Sequence, residues 1–200
     1  MPTQNVTRGQ GLLENLLARQ RAKMADRLIP PVLRKGRLLD IGSGATPLFV
    51  LTTEFSEKVG LDKVVRSECC ILDSNIKLVH CELEQENPLP FEDEYFDVVT
   101  MLAVLEHIEP RQLARLLGEI HRIIKPGGMF IITTPAIWTD RLLRLMAKYG
   151  LVSPIEIEEH KEAYSHAKIL TLLRAASFSE DKLRFGYFEM FMNIWATALK

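Results

Sequence analysis

Along this chain, short and nearly continuous apolar runs alternate with longer stretches in which apolar residues return every three or four positions. Arg37 to Ile41, Lys58 to Asp62, Ile76 to His80, Tyr95 to Val99 and Met129 to Thr133 are of the first kind and predict strands buried on both faces. Gly11 to Leu28, Pro47 to Phe55, Gln112 to Ile124, Leu142 to Met146 and Ala167 to Ala176 are of the second kind and predict helices. Pro30-Pro31 stops the first helix, and Lys125-Pro126-Gly127-Gly128 stops the one that ends at Ile124. Strands that alternate with helices predict parallel β-α-β units with helices on both faces of one sheet. The last two runs, Leu183 to Glu189 and Asn193 to Leu199, are joined by a link too short for a crossover and must form an antiparallel hairpin. The predicted class is α/β, with a mostly parallel sheet and one reversed strand at its edge.

Composition narrows this picture. Two hundred residues with 47% apolar content and a mean hydropathy of +0.03 suit a single domain with an ordinary soluble core. Residues 36–200 read as that domain and residues 1–35 as an amphipathic helical segment before it. No apolar run approaches the ~20 residues that span a bilayer, and the polar start Met1 to Gln10 lacks the core of a signal peptide, so the expected location is the cytoplasm. Cys69, Cys70 and Cys81 fit neither a disulfide framework nor paired zinc-ligand spacing and are expected to be reduced thiols. A net charge of -1 gives no general attraction to nucleic acid, yet charge is unevenly placed. Before Leu38 only Glu14 and Asp26 oppose many Arg and Lys residues, whereas every charge from Glu82 to Glu94 is acidic. The basic face of the first helix suits a lid over a ligand, a surface for an anionic partner, or a solvated face over core.

Chemistry concentrates at Leu38-Leu39-Asp40-Ile41-Gly42-Ser43-Gly44-Ala45-Thr46-Pro47, where a buried strand breaks into a glycine turn and then into a helix. Such a turn presents free backbone N–H groups to a ligand. A dinucleotide fingerprint would carry a third glycine where Pro47 stands, and that glycine serves packing around a pyrophosphate. Its absence favours a nucleoside cofactor without a pyrophosphate, such as S-adenosylmethionine. Asp62 ends the second strand roughly 20 residues after Gly42, where an acid meets a ribose diol in nucleoside-binding α/β folds, although it could also cap the next helix.

The order of these elements, with Pro88-Leu89-Pro90-Phe91, the acidic Glu92-Asp93-Glu94, Tyr95-Phe96-Asp97-Val98-Val99 and the Lys125 to Gly128 turn, resembles the class I S-adenosylmethionine-dependent methyltransferases. The likeness is to the broad type 11 group that includes quinone-biosynthesis methyltransferases. It runs from about Gly36 to the C-terminus and is densest from Leu38 to Pro135. The resemblance implies a three-layer, Rossmann-like fold with a seven-stranded, mostly parallel sheet and a C-terminal antiparallel hairpin strand. It implies that Asp40, Gly42, Ser43 and Gly44 hold the methionine part of the cofactor and that Asp62 holds the ribose. Glu82 and the Leu83 N–H would meet the adenine, and Met101 would line the site with backbone. Asp97 is expected to hold backbone N–H groups at the entrance of its strand.

For catalysis, His107 in Glu106-His107 falls beyond the fourth strand, where ligands sit in such sheets, and an imidazole there could take a proton from a substrate hydroxyl. A helix-start role is the alternative. His160, Tyr164 and His166 are further polar groups expected near the acceptor. No metal site is expected, because three consecutive acids point in different directions and the histidine pair lacks supporting ligands. Substrate recognition is expected to involve a small or lipid-like acceptor, methylated on oxygen or carbon. The sequence has no Asp-Pro-Pro-Tyr motif after the fourth strand and no separate RNA-binding module. A nicotinamide-dependent oxidoreductase and a non-catalytic S-adenosylmethionine-binding module are the competing readings.

Overall fold

The computed structural model describes residues 13–44, 46–65, 73–83, 88–153, 157 and 161–200. Leu12, Ala45, Cys69, Cys70, Glu84, Glu158, Glu159 and His160 lie outside the described residues. Strands β1 (Arg37–Ile41), β2 (Glu57–Asp62), β3 (Ile76–His80), β4 (Phe96–Leu102), β5 (Ile124–Pro135), β6 (Leu183–Phe188) and β7 (Asn193–Leu199) form one sheet in the order β3-β2-β1-β4-β5-β7-β6. The first five are parallel, and β7 runs antiparallel to both β5 and β6. The helices are α1 (Glu14–Leu28), α2 (Leu48–Thr52), α3 (Pro110–Ile123), α4 (Asp140–Lys148) and α5 (His166–Ala175).

Alternation along the strands divides the core between the two faces of the sheet. Leu39, Ile41, Val99, Met101, Phe130 and Ile132 turn to one face and pack with α3 and α5. Leu38, Val98, Met129 and Ile131 turn to the other and pack with α1 and α2. Apolar side chains at both phases of each strand are what make the runs look continuous in the sequence.

Two local features differ from the sequence expectation. The reversed strand is β7, which lies inside the sheet between β5 and β6, so it is not the edge strand. Its residues are almost all buried, whereas β6 is mostly half-exposed, and the more apolar strand takes the interior position. The Lys125 to Gly128 turn also does not delay β5: Ile124 already pairs with Phe96, and the ladder resumes at Val98 with Met129 after the intervening residues loop out.

Asp97 accepts the Arg37 N–H at 2.8 Å and pairs with Lys125 at 2.6 Å, which ties the starts of β1, β4 and β5 together as the sequence suggested. Arg122 on α3 donates to the carbonyls of Leu89 and Phe91 and pairs with Asp93 and Glu119, so the acidic Glu92 to Glu94 stretch is anchored by ion pairing. Among the described residues no group of His, Cys, Asp and Glu could hold a metal ion.

Candidate active site

In a parallel sheet, neighbouring crossovers that leave in opposite directions open a crevice at the strand C-termini. Here the switch lies between β1 and β4, and a cavity of about 580 Å³ opens there. That volume falls within the few hundred to about a thousand Å³ usual for small-molecule sites.

One end of the cavity is polar and made by the turn after β1. Gly42 sits at φ +75°, and its N–H and that of Ser43 donate to the Leu61 carbonyl at 2.8 and 3.2 Å. The Asp62 carboxylate accepts the Gly44 N–H at 2.9 Å and the Val64 N–H at 3.0 Å. Asp62 therefore shapes the glycine turn as well as facing the cavity, and it does so without capping a helix. Thr100 Oγ1 donates to Asp40 Oδ1 at 2.7 Å. Burial, reinforced by the negative charge of Asp62 and opposed by the Thr100 hydroxyl, pushes the Asp40 carboxyl up to about 7. Ser43 Oγ is buried with no partner among the described residues.

Asp40, Gly42, Ser43, Gly44, Asp62, Glu82, Leu83 and His107 all line the cavity. Met101 does not: it is wholly buried in the core on the opposite face of β4, and Leu102 and Ala103 form the wall at this point. Glu82 is exposed at the rim, while Arg115 holds the Leu83 carbonyl at 3.1 Å. His107 closes a 3-10 turn spanning Leu105–His107 and is half-buried. Beside it, buried Glu106 accepts from Thr134 Oγ1 at 2.9 Å. Tyr164 and His166 stay off the cavity wall. Tyr164 is wholly buried beside a backbone bridge to Ala136, and His166 packs on Phe185 and Tyr187.

The rest of the lining mixes apolar side chains, Leu17 of α1, Ile108, Leu143, Met146, Val152 and Ile157, with charged and polar ones. Three of its contributors escaped sequence reasoning. The inner face of α1 brings Glu14 and Arg21, the link between β6 and β7 with the start of β7 brings Glu189 and Asn193, and Lys161 adds a further charge. Only the basic character of α1 hinted at the first; the others come from parts of the chain distant in sequence. α1 covers core through Ala22 and Ala25 and keeps Arg19, Lys23 and Arg27 exposed, as the solvated-face reading expects, and it also borders the cavity.

Two carboxylates, Asp40 and Asp62, beside an exposed Lys63 make the polar end electronegative overall, which suits a ligand with a cationic centre and opposes a pyrophosphate. The sheet order and the position of the cavity are those of the fold shared with solved S-adenosylmethionine-dependent methyltransferases. More particularly, residues 39–132 match the family model described as a methyltransferase domain. S-adenosylmethionine is the cofactor of this class, and the buried Ser43 hydroxyl, the turn N–H groups and the paired carboxylates fit it.

Curated relatives include a demethylmenaquinone methyltransferase of Clavibacter sepedonicus, 33% identical over 53% of this chain and 43% of its own length. Another is the tRNA N(3)-cytidine methyltransferase METTL2 of Gallus gallus, 26% identical over 58% of this chain and 35% of its own. The chain thus spans less than half the length of these relatives. Among solved structures, an S-adenosylmethionine-dependent methyltransferase from Mesorhizobium loti superposes with a TM-score of 0.66 at 19% identity, covering 92% of this chain and 100% of that one. A second, from Thermotoga maritima, gives 0.69 at 19% identity, covering 92% of each chain.

Proposed function

We propose that the chain transfers a methyl group from S-adenosylmethionine to a small or lipid-like acceptor, on oxygen or carbon. The observation that carries this reading is one cavity lined both by a glycine turn with two carboxylates and by apolar side chains from α1, α4 and the segment around Val152. The bound sulfonium would supply an already activated methyl, so the protein's task is placement, exclusion of water and removal of a proton. Asp40 and the Gly42 to Gly44 turn would hold the methionine part, Asp62 the ribose, and Glu82 with the Leu83 N–H the adenine. Ser43 Oγ, buried and without a partner among the described residues, would gain one in the cofactor. His107, on the cavity wall, is proposed as the base that takes the acceptor's proton. The apolar part of the lining favours an acceptor like that named for the demethylmenaquinone methyltransferase over a tRNA cytidine.

Calorimetric titration with S-adenosylmethionine and, separately, NADH tests the reading. Micromolar binding of the first alone is expected; binding of NADH alone, or of neither, overturns it. The pH dependence follows from Asp40. A carboxyl with a native pKa near 7 and an ordinary value near 4 is protonated in the fold over the intervening pH range, so stability of the free protein falls as pH rises through that range. A cationic ligand prefers the ionised form, so affinity should rise from about pH 6 to about pH 8 and then flatten, and Asp40→Asn should remove the slope. A pH-independent affinity in the unaltered protein would separate Asp40 from the cofactor. In methyl-transfer assays with an accepted substrate, His107→Ala should leave cofactor affinity within about twofold and lower turnover by about a hundredfold. Equal turnover in that variant would remove His107 as the base.

A further inference from the structure

Val32, Leu51 and Leu199 are exposed singly, but the remaining exposed large apolar side chains include a group along α4 and the link between β6 and β7. Trp138, Leu142, Leu145 and Tyr149 follow one another at spacings of four, three and four residues along the 3-10 turn at Ile137–Thr139 and the helix α4. The opposite side of α4 is engaged, since Leu143 and Met146, like Leu17 of α1, pack against Ala147, Val152 and Ile157 and line the cavity. Trp138 is 54% and Tyr149 70% exposed. The link between β6 and β7 adds Met190 at 86% and Phe191 at 67% exposure, and Trp138 Nε1 donates to the Phe191 carbonyl at 3.2 Å, which joins the two segments. Glu189, Met190 and Phe191 hold φ of +51°, +55° and +68°, three successive non-glycine residues in the left-handed region. Each costs free energy relative to extended backbone, so the fold keeps this tip at a cost.

Charge selects among the partners that could cover such a patch. From Arg141 to Ser153 the sequence carries only basic charges, and Arg144 and Lys148 are exposed along α4. The neighbouring helix α1, joined there by the Leu13 N–H to Leu151 carbonyl bond at 2.9 Å, exposes Arg19 and Lys23, with no acid between Asn15 and Ala25. Aromatic rings and long aliphatic side chains flanked by Lys and Arg are the composition of a surface that seats at the boundary between lipid headgroups and acyl chains. A protein partner would meet the same apolar groups but would need a matching acidic rim, whereas an anionic bilayer supplies that rim everywhere. No helix among the described residues is long and apolar enough to cross a membrane, so the contact would be peripheral.

We infer that the face formed by Trp138, Leu145, Tyr149, Met190 and Phe191, rimmed by Arg144, Lys148, Arg19 and Lys23, docks on an anionic lipid bilayer. Docked in this way, the protein lays against the lipid the helix α4, whose Leu143 and Met146 line the cavity. The surface stands independently of the methyl-transfer reading; only the further consequence, an acceptor drawn directly from the bilayer, rests on that reading.

Flotation of the full chain with vesicles of phosphatidylcholine, alone or with about one third phosphatidylglycerol, tests it. The chain should float with the anionic vesicles at low salt, at least about tenfold better than with the neutral ones, and lose that preference as salt rises. Trp138 emission should shift to the blue on binding, and the shift should vanish in Trp138→Phe. Leu145→Asp combined with Phe191→Asp should weaken vesicle binding by about tenfold or more, because two apolar anchors are lost. Arg19→Glu combined with Lys148→Glu, which leaves the apolar patch intact, should remove the anionic preference. None of these residues lines the cavity, so S-adenosylmethionine titration of each variant reports an intact fold separately from docking. If the unaltered chain ignores both vesicle types, or the Leu145 and Phe191 variant floats undiminished, the docking surface is refuted. Should the chain instead dimerise with rising concentration, the patch belongs to a second copy.

Discussion

Replacing Gly42 with alanine is expected to abolish measurable S-adenosylmethionine binding and to lower the unfolding temperature by several degrees. Two costs combine at this position. At φ +75° an L-residue pays about 1–2 kcal/mol for the left-handed backbone. In addition, a Cβ there would lie 2.3 Å from Val104 Cγ2, a separation that side chains do not tolerate. Relieving that overlap moves Val104, and overpacking of this kind costs about 1–3 kcal/mol. For a chain of this size, a total of about 2–5 kcal/mol corresponds to a drop of roughly 4–20 °C. The functional loss follows because Val104 accepts the His107 N–H at 3.0 Å and both residues line the cavity, so the displacement spreads from the cradle to His107. Gly150→Ala is the control: it also has positive φ, at +69°, but nothing lies within 4 Å of its Cβ, so it should lose only the backbone term. Thermal unfolding and calorimetric titration of the two variants side by side decide the matter. Equal destabilisation by both, or normal cofactor affinity in Gly42→Ala, would refute the close-approach account.

Asp62→Ala should weaken cofactor binding by roughly 1–3 kcal/mol, or about five- to 150-fold, and should also destabilise the free protein. The second effect is visible only in the structure. Asp62 is buried, and both of its oxygens already accept backbone N–H groups, from Gly44 at 2.9 Å and Val64 at 3.0 Å. Truncation leaves these donors without their acceptor and frees the glycine turn. An ionised carboxylate offers about four lone-pair directions, so a ribose diol can share it with the two N–H groups. Asp62→Asn separates the two roles. Its one remaining carbonyl oxygen can keep the Gly44 contact, but the charge assistance to a diol is lost. The expected pattern is near-normal thermal stability with weakened S-adenosylmethionine affinity in Asp62→Asn, and loss of both in Asp62→Ala. Full affinity in Asp62→Asn would mean that the carboxylate serves the turn and not the ribose.

How far the site could be read in advance depended on where each residue sits. Asp40, Gly42, Ser43, Gly44, Asp62, Glu82 and Leu83 adjoin the ends of three successive parallel strands, and a parallel sheet brings such ends to one edge whatever the loops do. Which β4 side chains face the cavity was not legible, for a reason of parity. On β4 the residues Val98 to Leu102 are all apolar or small, so the sequence carries no alternation to say which of them turn to which face. The register places Met101 in the core with α3 and leaves Leu102 on the cavity side. Tyr164 and His166 lie off the cavity wall for a different reason: a polar side chain near a site in sequence can still point away, and both are drawn into aromatic or backbone contacts elsewhere.

By itself the sequence determined the order of strands and helices, the parallel sheet with its terminal hairpin, and the glycine cradle with Asp40 and Asp62. Each of these is written in local patterns: apolar period, glycine and proline placement, and an acid at a strand end. Only the tertiary structure decided that β7 enters the sheet inside β6, that α1 borders the cavity through Arg21, and that Glu189 and Asn193 reach its wall. It also gathered Trp138, Tyr149 and Phe191 into one exposed face. Such juxtapositions join residues separated by tens to more than a hundred positions. They are set by which apolar faces bury together most completely, a property of the packed whole that no local stretch of sequence contains.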